Sequence, residues 1–312
     1  MNVLVTGGAG FIASQIVDAY VAAGHRVAVI DNFSTGGREH LNPDAELHEV
    51  DIRDRDAVER VFSGGRFDVV NHHAAQLDVR ASVRNPQFDA EQNVIGSLNV
   101  VESALRHGVG RVIFASSGGV VYGEGAYFPA DEAHPTNPIS PYGVTKLAME
   151  KYLHYYRHEH GLEHVIFRYT NVYGPRQNPH GEAGVVAIFF ERMLSGVEPV
   201  IYGTGGQTRD YIYVGDVVRA NLLALEHLAG GGRSDTFNIS TGVETSVNQL
   251  FRELNALFGG RFTEKRADQR RGEQMRSVCA WDHAHDELGW RPEIALVEGL
   301  ARTLEFYRTK VG

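Results

Sequence analysis

Apolar residues fall into two rhythms along this chain, and the rhythms alternate. Val3–Thr6 is a short apolar run that stops at Gly7-Gly8-Ala9-Gly10, and from Phe11 to Ala23 apolar residues recur at steps of three and four. Further short runs rich in β-branched residues stand at Arg26–Ile30, Glu46–Val50, Val69–His72, Arg111–Ala115 and His164–Arg168. Helical periodicity fills Asp54–Phe62, Pro86–His107 and Pro141–His160. Strands separated by helices form βαβ units, whose crossovers build a parallel sheet buried on both faces. The predicted fold class is α/β, a Rossmann-type doubly wound parallel sheet, in which ligands bind at the carboxyl ends of the strands.

After about Thr170 the rhythm changes. Loops rich in glycine and proline, Gly174–Gly184 and Gly203–Asp210, separate shorter elements, and Tyr213–Leu228 returns to a clean helical pattern. The expected organisation is a Rossmann domain over residues 1–171 plus about 213–240. A smaller mixed α/β region, about 172–212 and 241–312, is expected to supply substrate contacts.

Composition acts mainly by exclusion. The 312 residues suffice for more than one core. A net charge of −9 argues against non-specific nucleic-acid binding, and no apolar run approaches the roughly 18–20 residues of a membrane span. Cys279 is the single cysteine, so no internal disulfide forms and a cytoplasmic, reducing location is expected. His154, His158, His160 and His164 crowd the polar end of one helix without Cys or an HExxH arrangement, so no metal is expected.

Candidate chemistry sits at the breaks between the rhythms. Gly7, Gly10 and Ala13 space a turn between strand and helix, which aims backbone N–H groups and the helix's positive end at one spot, a seat for pyrophosphate. Asp31 closes the second run, where a carboxylate grips ribose hydroxyls and favours NAD over a 2′-phosphorylated cofactor. Asp51-Ile52 follows the third run, where a carboxylate can meet the adenine amino group. Tyr142 and Lys146 stand one turn apart on one helix face. An ammonium beside a phenol stabilises the phenolate and lowers the tyrosine from its ordinary value of about 10. Such a base takes a hydroxyl proton while hydride leaves the same carbon.

Further landmarks extend the pattern: Ala74-Ala75, Asn93, Ser116-Ser117, Val121-Tyr122-Gly123, Arg168, Asn171-Val172-Tyr173-Gly174-Pro175-Arg176, Gln207-Thr208-Arg209-Asp210-Tyr211 and Leu288-Gly289-Trp290-Arg291-Pro292. In these, over almost its whole length, the chain resembles the extended short-chain dehydrogenase/reductase family, and most of all its UDP-glucose (UDP-galactose) 4-epimerase branch. The resemblance implies an isomerase with tightly bound NAD. Its expected reaction interconverts UDP-glucose and UDP-galactose, and the N-acetylated pair as well, through a transient 4-keto sugar. A dehydratase, a decarboxylase and a non-catalytic nucleotide binder are the alternatives. Against the dehydratase, Gly119-Val120 stands where that branch carries Asp-Glu before Val-Tyr-Gly.

By the same resemblance, NAD is lined by Gly7, Gly10, Phe11, Ile12, Asp31, Asn32, Thr35, Gly36, Asp51, Ile52, Ala74, Ala75, Gln76, Asn93, Ser116, Tyr142, Lys146, Tyr169 and Val172. The UDP-sugar is surrounded by Ser117, Gly118, Tyr142, Asn171, Val185, Val186, Val200, Tyr202, Arg209, Arg270 and Glu273. Arg209 and Arg270 offer guanidinium forks to a diphosphate, Glu273 accepts from ribose hydroxyls, and Tyr202 faces the uracil. Tyr142, Lys146 and Ser117 are the expected catalytic residues. The family's usual catalytic Ser or Thr falls on Gly118, so the hydroxyl comes from Ser117, from a water, or is dispensed with; Ser117 is the chosen expectation. Ser277 stands where some members carry a tyrosine that narrows the sugar pocket, which implies room for N-acetylated sugars. A homodimer built as a four-helix bundle is expected, with Leu98, Val101, Leu105, Met149, Leu153 and Tyr156 continuing into the partner.

Overall fold

The computed structural model describes residues 1–179, 184–269 and 274–311. Its centre is a seven-stranded, wholly parallel sheet of β1 (Asn2–Thr6), β2 (Arg26–Asp31), β3 (Glu46–Glu49), β4 (Val69–His72), β5 (Arg111–Ser117), β6 (Glu163–Tyr169) and β7 (Asp235–Ile239). The spatial order is β3-β2-β1-β4-β5-β6-β7. The chain winds outward from β1 in one direction, then returns to β4 on the other side of β1. Thr6, the last residue of β1, registers with Ile30 on one flank and His72 on the other. The crevice of such a sheet opens at this reversal, beyond the strand ends.

The two-residue period of the strands sorts the core. Val3 and Val5 face α1 (Phe11–Ala22) and the helix Val214–Ala229, in a cluster with Ile16, Tyr20, Ile113, Phe167 and Leu225. Leu4 faces the opposite way, with Val58, Phe62, Val112, Phe114, Met149 and Leu153, under the helices Arg55–Gly64, Gly96–Arg106 and Pro141–His160. A third cluster gathers Tyr173, Phe189, Phe190, Leu250, Phe251, Leu254, Leu300 and Leu304 from the later segments.

Three features differ from the sequence reading. The expected helix over Pro86–His107 is built in pieces: Pro86–Ala90, a wider π turn at Glu91–Ile95, and Gly96–Arg106. The π turn carries Asn93, whose amide is engaged across the cleft floor with the backbone N–H and C=O of Gln76. Strand β7 escaped because its pattern is polar at Asn238. That residue is nonetheless fully buried, accepting from Tyr122 at 2.7 Å and donating to the Ala130 carbonyl at 3.1 Å. Finally, Val101, Met149, Leu153 and Tyr156 pack into the chain's own core, with Leu98 and Leu105 against it, so these six are not a free face. Phe88, Ile95, Val144, Tyr152 and Tyr155 are the exposed large apolar residues of the same two helical stretches.

Candidate active site

A cleft of roughly 1640 Å³ runs across the carboxyl ends of the strands, larger than a single drug-sized ligand needs. At one end lies the turn Gly7–Gly10. Gly7 has φ +70, and a side chain there would sit 2.8 Å from the Ala74 amide nitrogen. Only glycine lets β1 turn this tightly against the end of β4. Gly10 N–H returns to the Gly7 carbonyl at 2.9 Å, and α1 starts from Gly10 with no side-chain cap. Its first-turn N–H groups therefore lie beyond the reach of intrahelical carbonyls and face the cleft with the positive end of the dipole.

Asp31 ends β2 beside this turn. Its carboxylate accepts from Ala9 N–H at 2.9 Å and Phe33 N–H at 2.8 Å, which fixes it at the cleft wall. Asn32, Thr35, Gly36, Ile52, Ala74, Ala75 and Gln76 continue that wall, as do Gly7, Gly10, Phe11, Ile12, Tyr169 and Val172. Two expected contacts stand back from it. Asp51 is not in the lining: Arg53 grips its carboxylate from 2.7 Å, Asn32 donates at 3.1 Å, and the guanidinium holds its acidity at about 2. Asn93 is buried, and its amide is consumed by Gln76, Asp89 and Thr145. It supports the wall from behind.

Tyr142 and Lys146 meet the wall from the first turns of the helix Pro141–His160. Ser140 caps that helix by accepting from Gly143 N–H at 3.1 Å, and Pro141 sits at its first position. A phenolate at this N-terminus is favoured by the dipole. Lys146 does not touch the phenol, however. Its Nζ donates to the Ala115 carbonyl at 2.8 Å, above the Phe114 ring, with the Tyr142 ring centroid 5.8 Å away. Burial draws the ammonium down to about 8, opposed by Asp89 and Glu150. Tyr142 goes the opposite way from the sequence expectation. Burial raises it above its ordinary value, and Asp89 adds to the rise. Proximity to Lys146 alone does not activate this tyrosine.

The end of β5 places Ser116, Ser117 and Gly118 differently. Ser116 turns its Oγ inward, donating to buried Glu150 at 2.5 Å, so it meets the cleft without its hydroxyl free. Ser117 lines the cleft together with Gly119, Val120 and Tyr142. Gly118 does not. Its N–H donates to the Tyr169 carbonyl at 2.9 Å, and a Cβ there would lie 3.1 Å from Cys279 Sγ and 3.2 Å from the Arg168 carbonyl. At the position where the family's hydroxyl falls, a side chain would point at Cys279 and β6, away from the lining.

On the far side, Asn171 and Arg209 line the cleft; Asn171 is anchored to the Asp210 carbonyl and Arg209 Nη1 donates to the Thr208 carbonyl at 2.8 Å. Ser277 and Gln274 also line it. Val185, Val186, Val200 and Tyr202 do not. Val186 is a core residue of the third cluster, Val185 packs against that cluster, and Val200 and Tyr202 belong to a short ladder with Lys265–Ala267. Arg270 and Glu273 lie outside the described residues. Sequence reasoning missed His73 and Arg176, both in the lining. His73 directly follows β4, the position from which cleft residues arise in this topology. Arg176 closes the landmark run Asn171–Arg176 but was assigned no role: it adopts φ +68 and reaches back to α1, meeting Asp18 at 2.7 Å and Ser14 Oγ at 3.1 Å. Among the described residues no group of three or more His, Cys, Asp or Glu could hold a metal, and no helix is long and apolar enough to cross a membrane.

Comparison with known proteins identifies the family. The family model described as the NAD dependent epimerase/dehydratase family matches residues 3–240. The UDP-glucose 4-epimerase of Mycolicibacterium smegmatis is 43% identical over 314 residues, covering 99% of each chain. Among solved structures, the UDP-glucose 4-epimerase of Thermotoga maritima, crystallised with UDP-glucose, is 48% identical and covers 100% of both chains with a TM-score of 0.97. That of Thermus thermophilus, in complex with NAD, is 41% identical over 99% of both chains, with a TM-score of 0.91. With its glycine turn, Asp31 and the Tyr142/Lys146 pair on one cleft, this chain belongs to the NAD dependent epimerase/dehydratase family.

Proposed function

We propose that the protein is an NAD-dependent UDP-hexose 4-epimerase that interconverts UDP-glucose and UDP-galactose through a transient 4-keto sugar. The observation that carries this is the meeting of Tyr142, at a helix N-terminus, with the glycine turn and Asp31 on one cleft, opposite Asn171 and Arg209. The glycine turn and α1 seat the pyrophosphate of the cofactor, and Asp31 accepts from its ribose. When bound, NAD supplies a hydride acceptor beside Tyr142 and a positive charge that stabilises the phenolate. Tyr142 then removes the proton from the sugar 4-hydroxyl and returns it after the keto sugar turns over. Ser117 hydrogen-bonds the same oxygen. Lys146, held by the Ala115 carbonyl, adds positive charge at the floor. Arg209 meets the diphosphate, so binding energy of the nucleotide positions the sugar; Arg270 and Glu273 are assigned here by resemblance alone.

The buried, small Ser277 in the lining favours a second substrate pair, the N-acetylated sugars. The separate third cluster supports a division into a cofactor domain and a sugar-nucleotide region. Exposed Ile95, Val144, Tyr152 and Tyr155 support a homodimer through these helices, and the single buried cysteine supports a cytoplasmic location. Tyr142→Phe tests the assignment. Turnover of UDP-galactose, followed by NMR beside the N-acetylated pair, should fall about 10²–10⁴-fold while NAD binding persists. Near-normal turnover would overturn it.

A further inference from the structure

One carboxylate behind the catalytic pair is unused by the reaction described above. Asp89, in the short helix Pro86–Ala90, is fully buried. Three neutral donors hold it: Thr145 Oγ1 at 2.8 Å, Gln76 Nε2 at 2.8 Å and Asn93 Nδ2 at 3.1 Å. These belong to three elements that face the cofactor end of the cleft. Gln76 is in the wall that follows β4, Asn93 is in the π turn, and Thr145 lies between Tyr142 and Lys146 with its hydroxyl 3.0 Å from the Tyr142 carbonyl. A buried charge among neutral donors is costly unless a counter-charge is near.

Burial pushes the Asp89 carboxyl above its ordinary value, and Lys146 is the cation that opposes the rise. The titratable groups that act on Lys146 are Asp89, Glu150 one turn further along its own helix, and His72 and His73 at the end of β4, with the Tyr142 ring centroid 5.8 Å from its Nζ. Both histidines are kept neutral by burial, at about 3. Glu150 is already spent. Arg168 forks onto it at 2.6 and 3.0 Å, and Ser116 donates to it at 2.5 Å. The guanidinium therefore offsets part of its charge, and Asp89 acts on Lys146 more strongly than Glu150 does.

We propose that Asp89 is a positioning residue whose charge balances the Lys146 ammonium, and whose hydrogen bonds fix the Tyr142/Lys146 turn against the cofactor wall. The inference rests on the reading of Tyr142 and Lys146 as the proton-handling pair. The same charge disfavours a phenolate, so the cofactor-free site keeps both protons until positive charge enters the cleft. Asp89 thus ties the readiness of the base to occupancy of the cleft.

Asp89→Asn isolates the charge. Its Oδ1 can still accept from Gln76 and Asn93, and its amide can donate to Thr145, whose own proton then turns to the Tyr142 carbonyl. In cofactor-free protein with [ε-13C]lysine, the Lys146 resonance (assigned by Lys146→Met) should titrate roughly one pH unit lower in Asp89→Asn than in wild type. The alkaline limb of kcat against pH should move down with it. A folded Asp89→Asn protein with an unmoved Lys146 midpoint overturns the proposal. If that variant does not fold, [γ-13C]aspartate in the wild type decides. The Asp89 carbon should read as carboxylate at neutral pH and step at the Lys146 midpoint; a protonated carboxyl there, or no step, overturns it. Failure of Tyr142→Phe to lose turnover would instead sink the underlying reading and leave these midpoints unaffected.

Discussion

Adding a single methyl at Gly118 puts the orientation of the β5 terminus to the test. The new Cβ would lie 3.1 Å from Cys279 Sγ, 3.2 Å from the Arg168 carbonyl and 3.6 Å from that of Tyr169. None of these yields easily: Cys279 is 1% exposed, and both carbonyls belong to β6, which is paired on both sides. Overpacking of this kind costs about 1–3 kcal/mol. For a chain of 312 residues that corresponds to a fall in Tm of about 1.5–5 °C for Gly118→Ala, read by circular dichroism. Gly118→Ser should be destabilised in the same way and gain no activity, because its hydroxyl enters the core. Ser117→Ala should lose turnover about 10²–10³-fold, the loss typical when one donor to a developing oxyanion is removed. The double variant Ser117→Ala/Gly118→Ser should be no more active than Ser117→Ala alone, measured as UDP-glucose formed from UDP-galactose in a coupled assay. Restored turnover in the double variant, or a Gly118→Ala protein as stable as wild type, would refute the placement of Gly118 against Cys279.

Three other outcomes follow from the same structure. Arg168→Met leaves Glu150 buried with Ser116 as its remaining donor, and should cost about 3–5 kcal/mol of stability in urea titrations; a loss below about 1 kcal/mol contradicts the buried pair. Acid should destabilise the fold before carboxylates titrate. Burial lowers His72 from 6.5 to about 3, so between those values the unfolded chain binds the proton and the folded chain does not. Stability then falls as pH drops below the unfolded value, by about 2 kcal/mol at pH 5 from this group, and equal urea midpoints at pH 7 and 5 would contradict it. Ile95→Glu with Tyr155→Asp should convert a dimer to a monomer in analytical ultracentrifugation while the far-ultraviolet spectrum is kept; an unchanged sedimentation coefficient argues against that face.

The sheet was legible because its strands are buried on both faces and so read as apolar runs between glycine turns, and Asp31 was legible because it follows such a run. Strand β7 was not, since Asn238 earns its burial from Tyr122 and Ala130, partners remote in sequence. The Tyr142/Lys146 spacing placed both groups on one helix face, yet it carried no information on what the ammonium would bond. That is the Ala115 carbonyl, from a strand that the helix meets only in the folded chain. Gly118 shows the same limit. Counting from Tyr122-Gly123 gives an index in a motif, whereas the direction of the α-carbon depends on how β5 leaves the sheet. Asp89 gave no signal at all, because its role depends on Glu150 being partly offset by Arg168.

Strand β7 forms one edge of the sheet by pairing with β6, yet it is separated from β6 in the chain by the whole of the segment that reaches Asn171, Arg209 and the Val214–Ala229 helix. During synthesis β6 emerges first, and at about 5–20 residues per second β7 follows only after a delay of seconds. Through that delay the edge bearing Val165, Ile166 and Phe167 has no neighbour on its outer side. An open, apolar edge is a template for pairing with other chains. Truncation before Asp235 would therefore leave β6 an apolar edge without its native neighbour.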